Sequence, residues 1–341
     1  MVILPDEIII NIFRYLSSSE TIILIRKLEW DARFATLVDL LYQRLYHGRL
    51  LIVNEDPKQK FDSDCELTVD SFEDMFASIT HEHSLFRATR PSYVEFKFSR
   101  SASDYRNFIN TLYKFHNLLT QGNQEIQDYF ENLILQLNLY IDANLVLVEN
   151  PNTLTTIIIK ILLQLSDNAH LVTKIKEMTI KCTDIGGFYQ SKWSMFLKKF
   201  TSLKYLDLSQ NLLQSSNYQD QEFDIWGIEK KFPDGLKELR LDFNMFTEIT
   251  KDFLTNLPDS LEYLSMNYNS IEIIESCSIG SLLPNLKYLN LNYNNLQALD
   301  PKIFEDCCSG FKLQLKASHL DDITINQLKL IAEKNKYKVI F

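Results

Sequence analysis

The 341-residue chain is short of glycine and proline, with eight of each, less than half of the roughly 12% that the pair makes up in average usage. That shortage excludes collagen-like chains and Gly/Pro-rich disordered ones. The glycines, at 48, 122, 186, 187, 227, 235, 280 and 310, never cluster into the turn whose backbone N–H groups close on a phosphate. No Rossmann fingerprint, P-loop or nucleophile elbow is therefore present. Positive charge is also scarce: 35 Lys and Arg face 45 Asp and Glu, for a net charge of −10. With no local Lys/Arg run to offset it, nucleic-acid binding is not expected.

Five cysteines, Cys65, Cys182, Cys277, Cys307 and Cys308, are an odd number without a CxxC pair, which suits neither a disulfide framework nor a zinc knuckle. Reduced thiols in a cytoplasmic or nuclear protein are expected. Long apolar runs are missing too. The longest, TLTTIIIKILLQL (153–165), is broken by Lys160 and Gln164 and falls short of the roughly 20 residues a bilayer span needs; it predicts a buried helix and no membrane partner. The opening residues, MVILPDEIII, carry acid where a signal peptide needs base, so an intracellular N-terminus is expected.

What the sequence does contain is a repeat. LKYLDLSQNLL from Leu203, LKELRLDFNMF from Leu236, LEYLSMNYNSI from Leu261 and LKYLNLNYNNL from Leu286 align without gaps, their starts 33, 25 and 25 residues apart. All fit LxxLxLxxNxL, and after Leu236 the apolar positions continue through Ile249, Phe253 and Leu257. This pattern resembles the leucine-rich repeat family. Weaker copies flank it: IKEMTIKCTDI from Ile175 has Thr183 for Asn, and GFKLQLKASHL from Gly310 lacks the first Leu and has Ser318 for Asn.

Alternation in the LxL core puts Leu206 with Leu208, Leu239 with Leu241, Leu264 with Met266, and Leu289 with Leu291 on one face of a short strand. Stacking repeats buries that face continuously. Where the chain leaves each strand, an amide side chain can satisfy stranded backbone groups as both donor and acceptor. Asn211, Asn244, Asn269 and Asn294 are expected to form such a ladder.

Strand–helix alternation continues upstream: RLLIVN (49–54) before SFEDMFASI (71–79), YVEFKFS (93–99) before DYRNFINTLYKFHNLL (104–119), and NLVLV (144–148) before the 153–165 helix. At the C-terminus DDITINQLKLIAEKN predicts a helix capped by Asp321 or Asp322, followed by the strand KYKVIF. A solenoid needs such a terminal cap.

Residues 4–16, LPDEIIINIFRYL, predict a helix with Pro5 in its first turn and Asp6 and Glu7 at its positive end. Only Asn11 and Arg14 are polar in the rest of it, so its apolar surface exceeds one stripe. A second helix, entered at SSSE (17–20), carries Ile22, Ile23, Leu24, Ile25 and Leu28. A second apolar partner surface is implied. The segment from residue 3 to 47 resembles the F-box, whose members dock onto the Skp adaptor of cullin-based ubiquitin ligases. Leu4, Pro5, Glu7, Ile8, Ile12, Phe13 and Leu16 match the family's strongest positions, whereas KLEWDARF (27–34) places Trp30 out of register with the family pattern. A helical cap on the solenoid is the alternative reading of the segment.

The expected organisation is thus α/β. A three-helix F-box-like module at 1–47 precedes a leucine-rich-repeat solenoid at 48–341, with irregular repeats at 48–174, regular repeats at 175–320 and a C-terminal cap at 321–341. The resemblance implies a non-catalytic substrate receptor, monomeric within a hetero-complex, with a Skp-type adaptor, a cullin scaffold and a protein substrate as partners. A repeat scaffold with no ligase link is the alternative.

Strand residues that alternate with the leucines should face a groove. They form three columns: Tyr205, Glu238, Tyr263, Tyr288 and Lys312; Asp207, Arg240, Ser265, Asn290 and Gln314; and Ser209, Asp242, Asn267, Asn292 and Lys316, with Phe243, Tyr268 and Tyr293 just beyond. Aromatics among amides and charges of both signs suit a protein ligand, and Tyr205, Arg240, Phe243, Tyr263, Tyr268, Tyr288 and Tyr293 are the candidate contacts. The cations are too scattered for a phosphate pocket. His81, Glu82 and His83, even with Cys65 or His116, lack metal-site spacing. No cofactor, metal or catalytic residue is expected.

Overall fold

The computed structural model describes residues 16, 18–28, 31–46, 49–53, 66–68, 93–99, 110, 113, 134–140, 163, 165–167, 169–181, 197–213 and 232–341. Two compact units divide the chain, Met1–Leu137 and Asn138–Phe341.

In the first unit, helices α1 (Ser18–Leu28) and α2 (Ala35–Tyr46) pack together and bury Ile25, Val38 and Leu41. Between them Asp31 caps the 3-10 turn Ala32–Phe34 by accepting the Arg33 N–H. Strand β1 (Arg49–Val53) runs parallel to β2 (Glu66–Thr68) and to β3 (Tyr93–Ser99), with Ile52 opposite both Leu67 and Phe96. The strands expected at 49–54 and 93–99 are therefore present. β4 (Ile134–Tyr140) spans the division between the units.

Several expectations lie outside the described residues. They are the adaptor-contact positions Leu4, Pro5, Glu7, Ile8, Ile12 and Phe13, the segments 71–79 and 144–148, most of 104–119 and 153–165, and the His81–Cys65–His116 set. Leu16, described and half-buried, is the exception among the adaptor positions.

The second unit begins with helix α3 (Ala169–Lys174) and strand β5 (Ile175–Lys181). Then come β6 (Tyr205–Asp207), β7 (Glu238–Arg240), β8 (Glu248–Ile249), helix α4 (Lys251–Asn256) and β9 (Tyr263–Ser265). β10 (Ile273–Ile274), helix α5 (Ile279–Leu282), β11 (Tyr288–Asn290), β12 (Lys312–Gln314), helix α6 (Asp322–Asn335) and β13 (Lys338–Ile340) complete it. Strands β5-β6-β7-β9-β11-β12-β13 pair in that order, each parallel to the next. β8 and β10 form a separate parallel pair.

The register places Leu206, Leu239, Leu264, Leu289 and Leu313 in one row. All are buried, as are Leu208, Leu241, Met266, Leu291 and Leu315 one step along. At about 2 kcal/mol per buried leucine side chain, these rows are the main source of cohesion between neighbouring repeats.

The asparagine ladder exists. The Asn244 amide donates to Leu208 O at 3.0 Å and Leu241 O at 2.9 Å, and its Oδ1 accepts the N–H groups of Asn211 and Leu213, both at 3.0 Å. Asn269 donates to Leu241 O and Met266 O, both at 3.0 Å, and accepts from Phe246 N–H at 3.1 Å. Asn294 donates to Met266 O at 3.0 Å and Leu291 O at 3.1 Å, and accepts from Ile271 N–H at 3.0 Å. Asn211 donates to Ile180 O at 2.6 Å, so each side chain serves the preceding repeat.

One sequence expectation needs correction. The repeat around β12 has not lost its first apolar residue, because Phe311, fully buried, stands where Leu286 stands one repeat earlier. Its N–H donates to Cys308 O as Leu286 N–H does to Leu283 O. One residue fewer separates it from Leu313, which is why a gapless alignment put Gly310 there instead. Tyr337 repeats the arrangement at the end, edge-on to Phe311 with centroids 5.5 Å apart.

The C-terminal cap follows. Of the two candidate caps, Asp321 is the one used: it accepts Thr324 N–H at 2.7 Å, and Asp322 lies in the first turn. On the return side, a Cβ added to Gly280 would stand 2.1 Å from Asp306 O and 2.6 Å from Cys307 N. Only glycine lets α5 lie so close to the next repeat.

Candidate functional site

Parallel, in-register strands bring together residues far apart in sequence, and on the face away from the leucines two aromatic stacks result. Tyr263 and Tyr288 lie opposite one another on β9 and β11, with ring centroids 4.5 Å apart and planes 4° apart. Just past the strands, Phe243 stacks on Tyr268 at 4.5 Å and Tyr268 on Tyr293 at 4.3 Å.

The second stack has an unusual backbone. Phe243, Tyr268 and Tyr293 have φ of 54°, 52° and 55°, a left-handed conformation that suits glycine or asparagine and is rare for a bulky residue. Gln210 and Ala317, at the same repeat position, share it. The ladder imposes it, since the asparagine that follows in the four regular repeats must turn inward. The aromatic rings go outward, leaving Phe243 48%, Tyr268 43% and Tyr293 37% exposed.

Cations extend the first stack at both ends. The Arg240 guanidinium lies 5.5 Å from the centroids of both Tyr205 and Tyr263, and Lys312 Nζ lies 5.2 Å from that of Tyr288. Arg240 also pairs with Glu238 at 2.7 Å. All seven expected contact residues therefore fall into two stacks: Tyr205, Arg240, Tyr263 and Tyr288 in one, and Phe243, Tyr268 and Tyr293 in the other.

The middle columns differ from expectation. Asp207, Ser209 and Ser265 do not present themselves to a groove, being buried to within 5% exposure. Asp207 is tied to Lys181 at 2.7 Å and accepts Ser209 N–H at 3.0 Å. Asp242 Oδ1 accepts the Ser265 hydroxyl at 2.6 Å and Asn267 N–H at 2.7 Å, and burial raises its carboxyl above the usual 3.8. These short side chains bond to neighbouring strands, whereas Asp242, Asn267, Asn290, Asn292 and Gln314 remain half-exposed and Lys316 exposed.

Burial is also the leading cause that raises the Tyr205, Tyr263, Tyr268 and Tyr288 phenols above their ordinary value, keeping them neutral donors at physiological pH. Sequence reading missed Leu212 and Met245, 52% and 51% exposed beside the second stack. Their signal was the tenth repeat position, where apolar residues have no core to face. Among the described residues no His, Cys, Asp and Glu group could hold a metal, and no helix is long and apolar enough to cross a membrane.

A family model described as leucine rich repeats, in two copies, matches residues 259–302, the stretch that carries β9 and β11. No curated protein matches the chain. Among solved structures, a leucine-rich-repeat protein of Leptospira interrogans aligns at 14% identity and TM-score 0.39, over 75% of this chain and 56% of that one. A Toll–Spatzle complex of Drosophila aligns at 15% and 0.36, over 66% and 27%. A complex of TLR13 with ssRNA13 aligns at 15% and 0.39, over 69% and 26%. The chain spans between about a quarter and a little over half the length of these structures.

Proposed function

We propose that the chain is a non-catalytic leucine-rich-repeat scaffold that binds a protein on its strand face, and that its N-terminal segment makes it the substrate-recognition subunit of a cullin-RING, SCF-type ubiquitin ligase. The two pre-stacked aromatic columns, one half-buried and one exposed, carry the first part. Rigid tyrosine surface loses little side-chain entropy on binding and is enriched at interface hot spots. Support for the second part is the sequence LPDEIIINIFRYL, with Leu4, Pro5, Glu7, Ile8, Ile12, Phe13 and Leu16 as adaptor contacts.

In this role the protein supplies position rather than chemistry. Holding the adaptor at one end and a substrate at the other raises the effective concentration of substrate lysines near the ligase's charged conjugating enzyme. Such a receptor works in the cytoplasm or nucleus, as a single copy within the hetero-complex and without a cofactor.

Affinity purification with a purified Skp-type adaptor tests the ligase link. The wild-type chain should retain adaptor and cullin, whereas a Leu4→Ala, Pro5→Ala, Ile8→Ala variant should lose both while its repeats melt unchanged. Equal retention by both chains would refute Leu4, Pro5 and Ile8 as the contacts, and retention of neither partner by the wild-type chain would leave a repeat scaffold with no ligase. The strand face is tested separately by Tyr268→Ala with Tyr293→Ala, which should abolish capture of the protein partner without unfolding the chain.

A further inference from the structure

In the first aromatic stack both faces of Tyr263 and of Tyr288 are covered. Along the strand order the column runs Tyr205, Arg240, Tyr263, Tyr288, Lys312, so Tyr263 lies between a guanidinium and a ring, and Tyr288 between a ring and an ammonium. Sugars and nucleobases bind tyrosine by stacking on an open face, and here those faces are occupied. What remains toward solvent is ring edge, the positive rim of the aromatic quadrupole, together with phenol O–H, guanidinium and ammonium groups. These are donors and partial positive charges, and they suit an anionic acceptor.

A second observation is independent of the rings. Backbone hydrogen bonds tie the residues at the strand entrances into a ladder: Lys204 N–H to Lys176 O at 2.7 Å, Lys237 to Lys204 at 2.9 Å, Glu262 to Lys237 at 2.8 Å and Lys287 to Glu262 at 2.8 Å, while Lys312, in register with Tyr288, donates to Lys287 O at 2.9 Å from the neighbouring column. Four lysines thus stand in one column against a single carboxylate, and Lys312 ends the tyrosine column beside it. At about 4.8 Å per strand the lysine column is roughly 19 Å long. Glu262 is already held by Lys237 at 2.8 Å and Lys287 at 2.6 Å, and Glu238 by Arg240. Asp234 and Asp259 border the column at the turns before β7 and β9. In a chain of net charge −10, this basic column beside the tyrosines differs in sign from the molecule as a whole and can orient an acidic partner.

We propose that the strip from Lys176 to Lys312 binds an extended acidic peptide segment, its carboxylates on the lysine column, Arg240 and Lys312 and its remaining side chains along the tyrosine edges. The inference rests on the protein-binding role proposed above and names the chemistry of the partner. A nucleic acid is disfavoured by the filled ring faces and by the carboxylates within the strip.

The test uses the full chain and a fluorescein-labelled peptide of alternating Glu and Ala, followed by fluorescence anisotropy. Binding is expected at low ionic strength, and it should weaken as salt screens the column. Lys204→Glu with Lys312→Glu should reduce affinity on the order of tenfold or more. Lys302→Glu with Lys334→Glu, the same charge change at exposed sites elsewhere, should reduce it less than about twofold. If the reversed pair fails to fold, Lys204→Gln with Lys312→Gln should still weaken binding.

The inference is overturned if the wild-type chain ignores the acidic peptide or binds a matched Lys–Ala peptide or single-stranded oligonucleotide as tightly. It is also overturned if the two charge-reversed pairs behave alike. Adaptor retention by the N-terminal segment and partner capture through Tyr268 and Tyr293 are read separately, so the two proposals fail separately.

Discussion

Replacing Asn269 with alanine tests the ladder, and the structure sets the size of the effect. The side chain makes three good hydrogen bonds, to Leu241 O, Met266 O and Phe246 N–H, yet the losses are unequal. Leu241 O also accepts from Asn244 and Met266 O from Asn294, so one carbonyl keeps a partner from the rung before and the other from the rung after. The buried Phe246 N–H loses its Asn269 acceptor, a penalty of about 1–3 kcal/mol. With two weakened carbonyls and a small void the total is about 2–3 kcal/mol. For a unit of this size that lowers the melting midpoint by roughly 4–12 °C. Circular dichroism melts and urea titrations should show it, with Asn295→Ala, exposed one residue after the Asn294 rung, as the control. A shift under about 2 °C, or one equal to the control's, would refute the bracing role of the ladder.

Gly280→Ala should cost about 3 kcal/mol or prevent folding, because its Cβ would meet backbone rather than a movable side chain; a wild-type melt would show that α5 can shift. Asp242→Asn should stabilise the fold at neutral pH. Burial raises the native carboxyl above 3.8, so the native state holds that proton more tightly than the unfolded chain. Its stabilising effect is complete below 3.8 and is lost as pH rises through the raised native value. Urea titrations of wild type and variant should therefore diverge across that window, and parallel curves would count against it. Burial, reinforced by Cys308, pushes the Cys307 thiol up to about 12, so native protein at pH 8 should not be alkylated there until it is unfolded; rapid native labelling by mass spectrometry would overturn this and revive a nucleophile.

Much of the second unit is legible in the sequence because its constraints recur at fixed spacing. Leu239 and Asn269 are recognisable since every repeat needs an inward leucine and a backbone-bracing amide at the same offset. Phe311 was harder to place, because one deleted residue defeats a gapless alignment while the packing position is kept. The fate of Asp207 and Ser265 was not visible at all. Strand alternation gives the side to which a residue points, but not whether a neighbouring lysine or aspartate folds over it.

The lysine column escaped notice for a related reason. Lys176, Lys204, Lys237 and Lys287 are separated by 28, 33 and 50 residues, so no local charge run announces them. Only parallel pairing makes them neighbours.

The asparagine ladder also gives the array a direction. Asn244 braces backbone groups of the repeat before it, and Asn269 and Asn294 do the same for theirs. A repeat therefore depends on its C-terminal neighbour for part of its own internal bonding, and gives that neighbour less in return. Trimming the chain from the C-terminal end withdraws a brace from whatever is left, while trimming from the other end removes a dependant. Fraying should then travel unequally from the two ends, and an added repeat should be tolerated better inside the array than after its last asparagine.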